Sequence, residues 1–295
     1  MADFIIIADN NNSRIVKRLA SNLSYVSQIG SSGPGDDQFY NLQGVDADGV
    51  HIYLPDRNNS RNVKRLASDL SYVSQAHSSD WPQNIANDMT HLYVVSYSRI
   101  VKLLKADLSY VSYIGSFGSG NDEFNTITGI ACYGGFLYVT DSGNNRIVKR
   151  LASDLSYVSE MGSFNFPNGI TADSTYVYVN DTFNQRISKR LASDLSYVSQ
   201  IGSFGTGDDQ FHNPRGIAID DDGIYLYVAD TENHRIVKRL ASDLSYVSQI
   251  GSSGAGDDQF SWPFDIAFYR EIPDAPTLTS VSPGAKQNTI EWVNA

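Results

Sequence analysis

The sequence predicts an all-β fold: a closed six-bladed β-propeller in which every blade is a four-stranded antiparallel sheet. Three observations predict it. A short segment recurs six times, successive copies lie about 44 residues apart on average, and the two ends of the chain carry complementary parts of one unit. Units of four strands and roughly 40 to 50 residues are typical of propeller blades rather than of helical solenoids.

The recurring segment is clearest between Arg235 and Gly251, where it reads RIVKRLASDLSYVSQIG. The β-branched run from Arg235 to Leu240 and the alternating run from Leu244 to Ile250 have the pattern of two strands. The Ala-Ser-Asp between them supplies the turn of a hairpin. The six copies begin at Arg14, Arg61, Arg99, Arg146, Arg186 and Arg235.

A second hairpin precedes each copy. It is clearest from Gly216 to Thr231, where Asp222-Gly223 marks the turn between two apolar runs. One unit therefore contains four antiparallel strands. The tyrosines of successive copies, from Tyr25 to Tyr246, are spaced 47, 38, 47, 40 and 49 residues apart, which sets the length of the unit.

The two ends of the chain indicate that the array closes into a ring. Residues Phe4 to Asp9 match the second strand of a unit, but no first strand precedes them. Residues Phe264 to Phe268, at the other end, match a first strand. Pairing this strand with three N-terminal strands completes a sixth blade and leaves no free edge between the first and last blades.

The composite pattern from Gly202 to Lys238 combines a Gly-rich loop, Gln-Phe, Pro-x-Gly-Ile-Ala, Tyr-Val-Ala-Asp and Asn-x-Arg-Ile. In these motifs the chain resembles the NHL repeat family, over roughly residues 1–271. The resemblance implies a β-propeller. Two units depart from the pattern, because the Gly-Asp-Asp-Gln-Phe loop is replaced by Ser79-Asp80-Trp81-Pro82 and by Phe164-Asn165-Phe166-Pro167.

The sequence divides into a propeller, residues 1–271, and a segment of different texture, residues 272–295. After a Pro-rich linker, this segment resembles the first two strands of a fibronectin type III domain, with Trp292 at the position of the core tryptophan. Such a domain needs roughly 100 residues, so the segment is incomplete. We therefore expect the chain to continue into further domains in a longer protein.

Net charge and its distribution weigh against a nucleic-acid partner. The net charge is −11, and a protein held by phosphate contacts needs a basic surface. Eighteen of the 22 Lys and Arg residues fall in the six copies of the third strand. We expect these charges to belong to the repeat itself, either paired with neighbouring carboxylates or lying as a solvated stripe. No apolar run approaches the ~20 residues of a membrane span, so membrane insertion is not expected.

The copies differ most on one face of the predicted ring, which we call the top face. It carries the loops that enter each first strand and the loops that join each second strand to the third. Polar amides, aromatic residues and isolated arginines there indicate a recognition surface. The candidate ligand-binding residues are Tyr40, Gln43, Arg57, Gln83, Tyr97, Thr128, Asn168, Phe183, His212, Arg215, Trp262 and Phe264.

The sequence favours no catalytic or metal site. Some six-bladed propellers related to this family are metal-dependent lyases and hydrolases, but only His212 and His234 of the five histidines lie on the predicted top face. The acidic turns at Asp46 to Gly49 and Asp220 to Gly223 make calcium a candidate ligand, yet neither continues into a complete calcium loop. Hairpin turns require Asp and Gly in any case. We therefore expect no catalytic residues and no cofactor.

These observations favour a non-enzymatic binding platform whose top face recognises a protein or a carbohydrate. A propeller joined to fibronectin-like modules resembles prokaryotic surface proteins and phage tail or fibre proteins. We therefore expect an extracellular or virion-surface location, although Met1 leads straight into a strand with no export signal. The alternatives are a propeller lyase or lactonase that depends on a metal, a structural spacer in an assembly, and an RNA-binding domain.

Overall fold

A computed structural model describes residues 2–78 and 80–272. It contains six four-stranded antiparallel sheets, as the sequence predicts. From the innermost to the outermost strand, the sheets are blade 1 (Asp46–Ala47, His51–Asp56, Arg61–Leu66, Tyr72–His77), blade 2 (Asn84–Asn87, His91–Val95, Ile100–Leu104, Tyr110–Ile114), blade 3 (Ile127–Tyr133, Phe136–Asp141, Arg146–Leu151, Tyr157–Met161), blade 4 (Pro167–Ala172, Tyr176–Asp181, Arg186–Leu191, Tyr197–Ile201), blade 5 (Pro214–Ile219, Tyr225–Asp230, Arg235–Leu240, Tyr246–Ile250) and blade 6 (Pro263–Arg270, Asp3–Asp9, Arg14–Leu19, Tyr25–Ile29).

Blade 6 closes the ring, as the complementary ends of the sequence predict. Its first strand comes from the C-terminal side of the chain and pairs antiparallel with the strand Asp3–Asp9, with Phe4 opposite Tyr269 and Ile6 opposite Ala267. The first strands of blades 1 to 6 each contact the first strands of both neighbouring blades. The predicted fibronectin-like segment, residues 273–295, lies outside the described residues.

The local structure corrects the prediction at a few boundaries. The fourth strand of blade 5 begins at Tyr246 rather than at Leu244. Leu244 has φ of +66° and is buried, so it closes the turn instead of extending the strand. Single-turn 3-10 helices at Asn10–Asn12, Ser142–Asn144, Thr182–Asn184 and Thr231–Asn233 join second to third strands, and Ser116–Phe117 pairs in parallel with Glu123–Phe124.

The phenylalanine of the Gly-rich loop packs between blades. Phe39 lies in an apolar cluster with Phe4 and Ile6 of blade 6 and Ile52 of blade 1. The equivalent residues Phe124, Phe211 and Phe260 are also fully buried. Each loop therefore anchors itself to the seam between two blades, and this burial is a main source of stability for a fold made of separate sheets.

In the blades that have the Gly-rich loop, the first and third basic residues of the third strand are buried and hold that loop in place. In blade 5, Arg235 donates Nε–H to the buried carboxylate of Asp230 at 2.7 Å. Its Nη groups donate to carbonyl oxygens of the loop at Gly207 and Gln210. Arg239 bonds the carboxylate of Asp209 and the carbonyl oxygen of Asp208. The predicted pairing with carboxylates is confirmed here, and the alternative of a solvated stripe is wrong because Arg235 and Arg239 are buried.

The lysine between these two arginines joins neighbouring blades. Lys238 of blade 5 donates to the carbonyl oxygens of Ala20 and Ser21, in the turn between the third and fourth strands of blade 6. Burial lowers the pKa of Lys238. The same bonds to the turn of the next blade are made by Lys17, Lys64, Lys102, Lys149 and Lys189.

Candidate functional site: the top face and the axis

At the top end of the axis, the first strands approach so closely that glycine is required. A Cβ added to Gly169 would lie 2.1 Å from the carbonyl oxygen of Arg215, and one added to Gly129 would lie 2.2 Å from that of Asn168. The residues that precede these positions therefore form a continuous ring, which we call the axis ring. Its members are six of the twelve candidate ligand-binding residues: Gln43, Gln83, Thr128, Asn168, Arg215 and Phe264.

Blades 2 and 6 replace the glycine with Asn84 and Asp265. The amide of Asn84 donates to Asp265 Oδ2 at 3.2 Å, and the backbone N–H of Val45 donates to the same oxygen at 3.0 Å. The two side chains thus bridge blades 6 and 2 across the start of blade 1, whose first strand has only two residues. Burial raises the pKa of Asp265 to about 7.

Part of the axis ring is satisfied within the protein. Gln43 donates its amide to Asn41 Oδ1 at 3.0 Å. The Thr128 hydroxyl donates to the carbonyl oxygen of Pro167 at 3.1 Å and lies against the Ser142 hydroxyl. In these blades the polar ring residues therefore serve the structure of the ring itself.

The neighbouring sector, blades 4 and 5, is not satisfied in the described part of the chain. Asn168 is 2% exposed, and its Nδ2 has no hydrogen-bond partner. The Arg215 guanidinium forms no ion pair or hydrogen bond there, lies 4.4 Å over the Phe264 ring, and has a buried Nε. Burial lowers the pKa of Arg215. Arg57, also on the top face, likewise has a buried Nε without a partner.

Aromatic side chains surround the axis ring at the surface. Tyr97 stacks on Phe117 with ring centroids 6.2 Å apart, and Phe183 stacks on Phe166 at 5.0 Å. Of the exposed aromatic residues in the described ranges, the top face carries Tyr40, Trp81, Tyr97, Phe117, Phe183, Phe204 and Trp262. Four others lie elsewhere: Tyr110, Tyr113, Tyr133 and Tyr197. The sequence analysis named four of these top-face residues and missed Trp81, Phe117 and Phe204, although all three follow fourth strands in loops assigned to that face.

His212 and its surroundings have a local role. The ring Nε2 lies 2.7 Å from Glu232 Oε2, and the ring packs edge-on against Phe204. The backbone N–H of His212 donates to Asp230. Glu232 also accepts from the amide of Asn213 at 2.6 Å, so this carboxylate is engaged on both of its oxygens. The nearby N–H of Trp262 donates to His234 Nδ1 at 3.2 Å.

A cavity of about 620 Å³ lies on the axis below these residues, and none of the twelve candidate residues lines it. It reaches the opposite face through the turns between first and second strands. Its wall carries six aspartates, Asp46, Asp173, Asp220, Asp221, Asp222 and Asp265. The sequence marks two of these turns as hairpin turns and as calcium candidates but does not indicate the cavity, which takes residues from all six blades.

The acidic turns are held by protein groups. Asp48 Oδ2 forms an ion pair of 2.7 Å with Lys105 and accepts from the Tyr53 hydroxyl at 2.9 Å. Asp222 pairs with Arg270 at 2.7 Å. Within residues 2–78 and 80–272, no group of three or more His, Cys, Asp or Glu side chains is placed to hold a metal ion. In the same ranges, no helix has the length and apolar character needed to span a membrane.

The comparisons with known proteins agree with the fold. Residues 211–238 match the NHL repeat family. No curated protein matches the chain. Two solved structures share the fold, each with a TM-score of 0.60. One is a protein of unknown function from Desulfotomaculum acetoxidans DSM 771, with 14% identity over 88% of this chain and 82% of that one. The other is the hydrazine synthase of Kuenenia stuttgartiensis, with 12% identity over 89% and 85%.

At these identities the two structures show a shared architecture and nothing finer. The matched repeat coincides with the Phe211 loop end, the first two strands of blade 5 and the start of the third. The protein is therefore a six-bladed β-propeller in which residues 211–238 match the NHL repeat.

Proposed function

We propose that this protein is a non-enzymatic binding platform whose top face docks a protein partner. The observation that carries the proposal is the concentration of exposed aromatic side chains on that face, which holds seven of the eleven in the described ranges. Tyr, Trp and Phe are enriched in protein interfaces, where they supply large contact areas. Exposed aromatic groups in such numbers indicate an interaction surface.

The scaffold supports this use of the face. The aromatic groups are held in place by neighbours, since Tyr97 stacks on Phe117 and Phe183 stacks on Phe166. Rigid anchors lose little conformational entropy on binding. The loops that carry them are fixed to buried charges such as Asp230, whose carboxylate accepts the N–H of His212 in the adjoining loop. Partner binding therefore requires little rearrangement of the platform.

The test compares two sets of aromatic substitutions. The triple variant Tyr97→Ala, Phe183→Ala and Trp262→Ala removes three top-face anchors. The matched control, Tyr110→Ala and Tyr197→Ala, removes equally exposed aromatic groups from fourth strands. Wild type and both variants are presented to an array of proteins from the source cells and, in parallel, to an array of glycans.

We expect wild type and the control to retain the same protein partners and the triple variant to lose them, with an affinity decrease of about tenfold or more. Equal protein binding by all three forms contradicts the proposal. Binding to glycans alone, lost in the triple variant, replaces the protein partner with a carbohydrate.

We extend the proposal to an extracellular or virion-surface location, which immunogold labelling of the source cells or particles tests.

A further inference from the structure

The Arg215 sector of the axis ring differs from every other cationic site in the described chain. Apart from Arg215 and Arg57, each described Lys and Arg side chain forms an ion pair or donates a hydrogen bond, as Arg186 does to Asp181 and Arg190 to Ser188 Oγ. Arg57 belongs to a loop outside the axis ring. Arg215 is therefore the one axis-ring cation, and it lacks a counter-charge.

This arrangement is unfavourable for the isolated protein. A partly desolvated charge loses hydration, and without a hydrogen-bond acceptor it recovers only part of that loss. Stacking on Phe264 at 4.4 Å orients the guanidinium but supplies no acceptor. Its Nε is buried and has no acceptor. The two Nη groups are not buried and remain accessible at the mouth of the axis.

A second donor without an acceptor lies beside it. The backbone of Arg215 adjoins that of Asn168 and Gly169, because a Cβ on Gly169 would lie 2.1 Å from the Arg215 carbonyl oxygen. The Asn168 amide is 2% exposed and its Nδ2 is unpartnered. A buried donor without an acceptor destabilises the folded protein. The equivalent side chains of Gln43 and Thr128, in contrast, are hydrogen-bonded within the protein.

The surrounding residues do not supply the missing acceptor. Glu232 is the carboxylate that interacts electrostatically with Arg215. Its two oxygens are already engaged by His212 and Asn213. A planar guanidinium matches a carboxylate through two parallel hydrogen bonds. The chemistry of the sector therefore selects a carboxylate group from outside the chain.

We propose that the Arg215 guanidinium, on the strand that adjoins Asn168, forms a carboxylate-binding subsite, which receives an Asp, Glu or C-terminal carboxylate of the docked partner. This proposal rests on the proposed function, since it names the group that the partner presents to the centre of the top face. It also accounts for the contrast between an acidic protein and an unpaired cation at the axis.

The first experiment uses acetate as the probe and needs no partner. Side-chain N–H signals of arginine are followed by ¹⁵N NMR while sodium acetate replaces sodium chloride at constant ionic strength, and Arg215 is assigned by its absence in Arg215→Lys. We expect a saturable shift of the Arg215 signal alone, with a Kd on the order of 1 to 100 mM. An unmoved Arg215 signal means that no carboxylate binds there, and an equal response to chloride means an adventitious ion only. Either result overturns the proposal.

The second experiment uses the partner identified by the top-face array. We expect Arg215→Ala to weaken binding roughly 30-fold or more and Arg215→Lys to fall between, because lysine keeps the charge but loses the planar fork. Arg270→Ala, which removes an ion pair with Asp222 on the opposite face of the ring, is the control and is expected to change affinity less than about threefold. Equal effects of the two alanine variants overturn the subsite.

The two proposals can fail separately. If acetate leaves Arg215 unmoved while the triple aromatic variant loses its partners, the carboxylate subsite fails and the platform stands. If acetate moves Arg215 while the aromatic variant keeps its partners, the platform fails, and the carboxylate then belongs to a ligand other than a docked protein.

Discussion

Blades 5 and 2 are copies of one unit, yet they hold their top loops in different ways. In blade 5, the buried Asp230 and Arg235 pair at 2.7 Å, and Arg235 continues to carbonyl oxygens of a long Gly-rich loop. In blade 2, Ser96 replaces the aspartate and Leu103 replaces the second arginine. Arg99 is 43% exposed, and among the described residues its ion pair is with Asp80. The entering loop is also short.

Blade 4 shows that these changes belong together. Its entering loop is short too, and Arg190 has no carboxylate partner in the described residues; it lies 5.0 Å over Phe164 instead. Arg186 keeps Asp181 but is 24% exposed. The buried charges therefore exist to hold the long loop. Where the long loop is absent, both partners are replaced in blade 2; in blade 4 Arg186 becomes more exposed, while Arg190 stays buried and takes Ser188 and Phe164 as neighbours.

The sharpest way to break this comparison is to remove the buried carboxylate of the long-loop network. Asp230→Ala leaves Arg235 buried beside no counter-charge, so we expect a loss of about 3 to 5 kcal/mol, measured by urea unfolding. Asp181→Ala in blade 4 is the matched control and is expected to cost less, because water reaches Arg186. Equal losses at the two positions would contradict a role tied to the long loop.

The lysine that joins neighbouring blades is present in both blade 5 and blade 2. Substituting it therefore tests an interaction that the two blades share. Lys238→Met and Lys102→Met leave the carbonyl oxygens of Ser21 and Ser153 without their lysine donor, while those of Ala20 and Ala152 keep a tyrosine hydroxyl as donor. We expect each to lower the free energy of unfolding by about 1 to 3 kcal/mol. A markedly smaller effect for Lys102→Met would show that the lysine bond depends on the long-loop network.

Blade 6 differs from the glycine-bearing blades by Asp265, and this difference sets a pH dependence. Burial raises the pKa of Asp265 to about 7 and that of Asp46 to about 6, so between pH 4 and 7 the folded state binds more protons than the unfolded state. Stability therefore falls as pH rises through this window. Asp265→Asn keeps an oxygen for the Val45 N–H and removes the titration.

We expect thermal unfolding of Asp265→Asn to show no decline above pH 6, where wild type still loses about 1 to 2 kcal/mol. Below pH 6 the slope from Asp46 remains in both proteins. A variant that declines between pH 6 and 8 as wild type does would mean that other groups carry the effect.

The smallest expected effect is at the exposed pair of blade 2. Arg99→Ala removes a single ion pair that water already screens, so a loss below about 1 kcal/mol is expected. Arg235→Ala serves as its counterpart, since Arg235 is buried and makes several bonds to the loop. Unfolding of the two variants, measured side by side, tests whether burial decides the strength of the interaction.

Much of the fold could be predicted because each strand carries its own local pattern. The third strand Arg235–Leu240 agrees with its prediction at both ends. Leu244 was assigned to a strand because it is apolar and in phase with the following alternation. Its left-handed backbone depends on the turn, where Asp243 accepts the Ser245 N–H. Periodicity alone does not distinguish a turn residue whose side chain is buried.

The candidate site was less predictable. The sequence identified the axis ring because its six members occupy one position of the repeat, but the missing partners of Arg215 and Asn168 emerge only when adjoining blades are in place. The axial cavity was missed for the same reason. The replacement of glycine by Asn84 and Asp265 is the local signal that pointed to the axis.

By itself, the sequence determined the number of blades, the strand order within each blade and the closure through the two chain ends, because hydrophobic alternation and turn residues act over a few positions. The tertiary structure alone decided which charges are buried and which are left without partners. Those contacts join residues tens of positions apart, as between Arg61 and the carbonyl oxygen of Gly35, and their strength depends on exclusion of water.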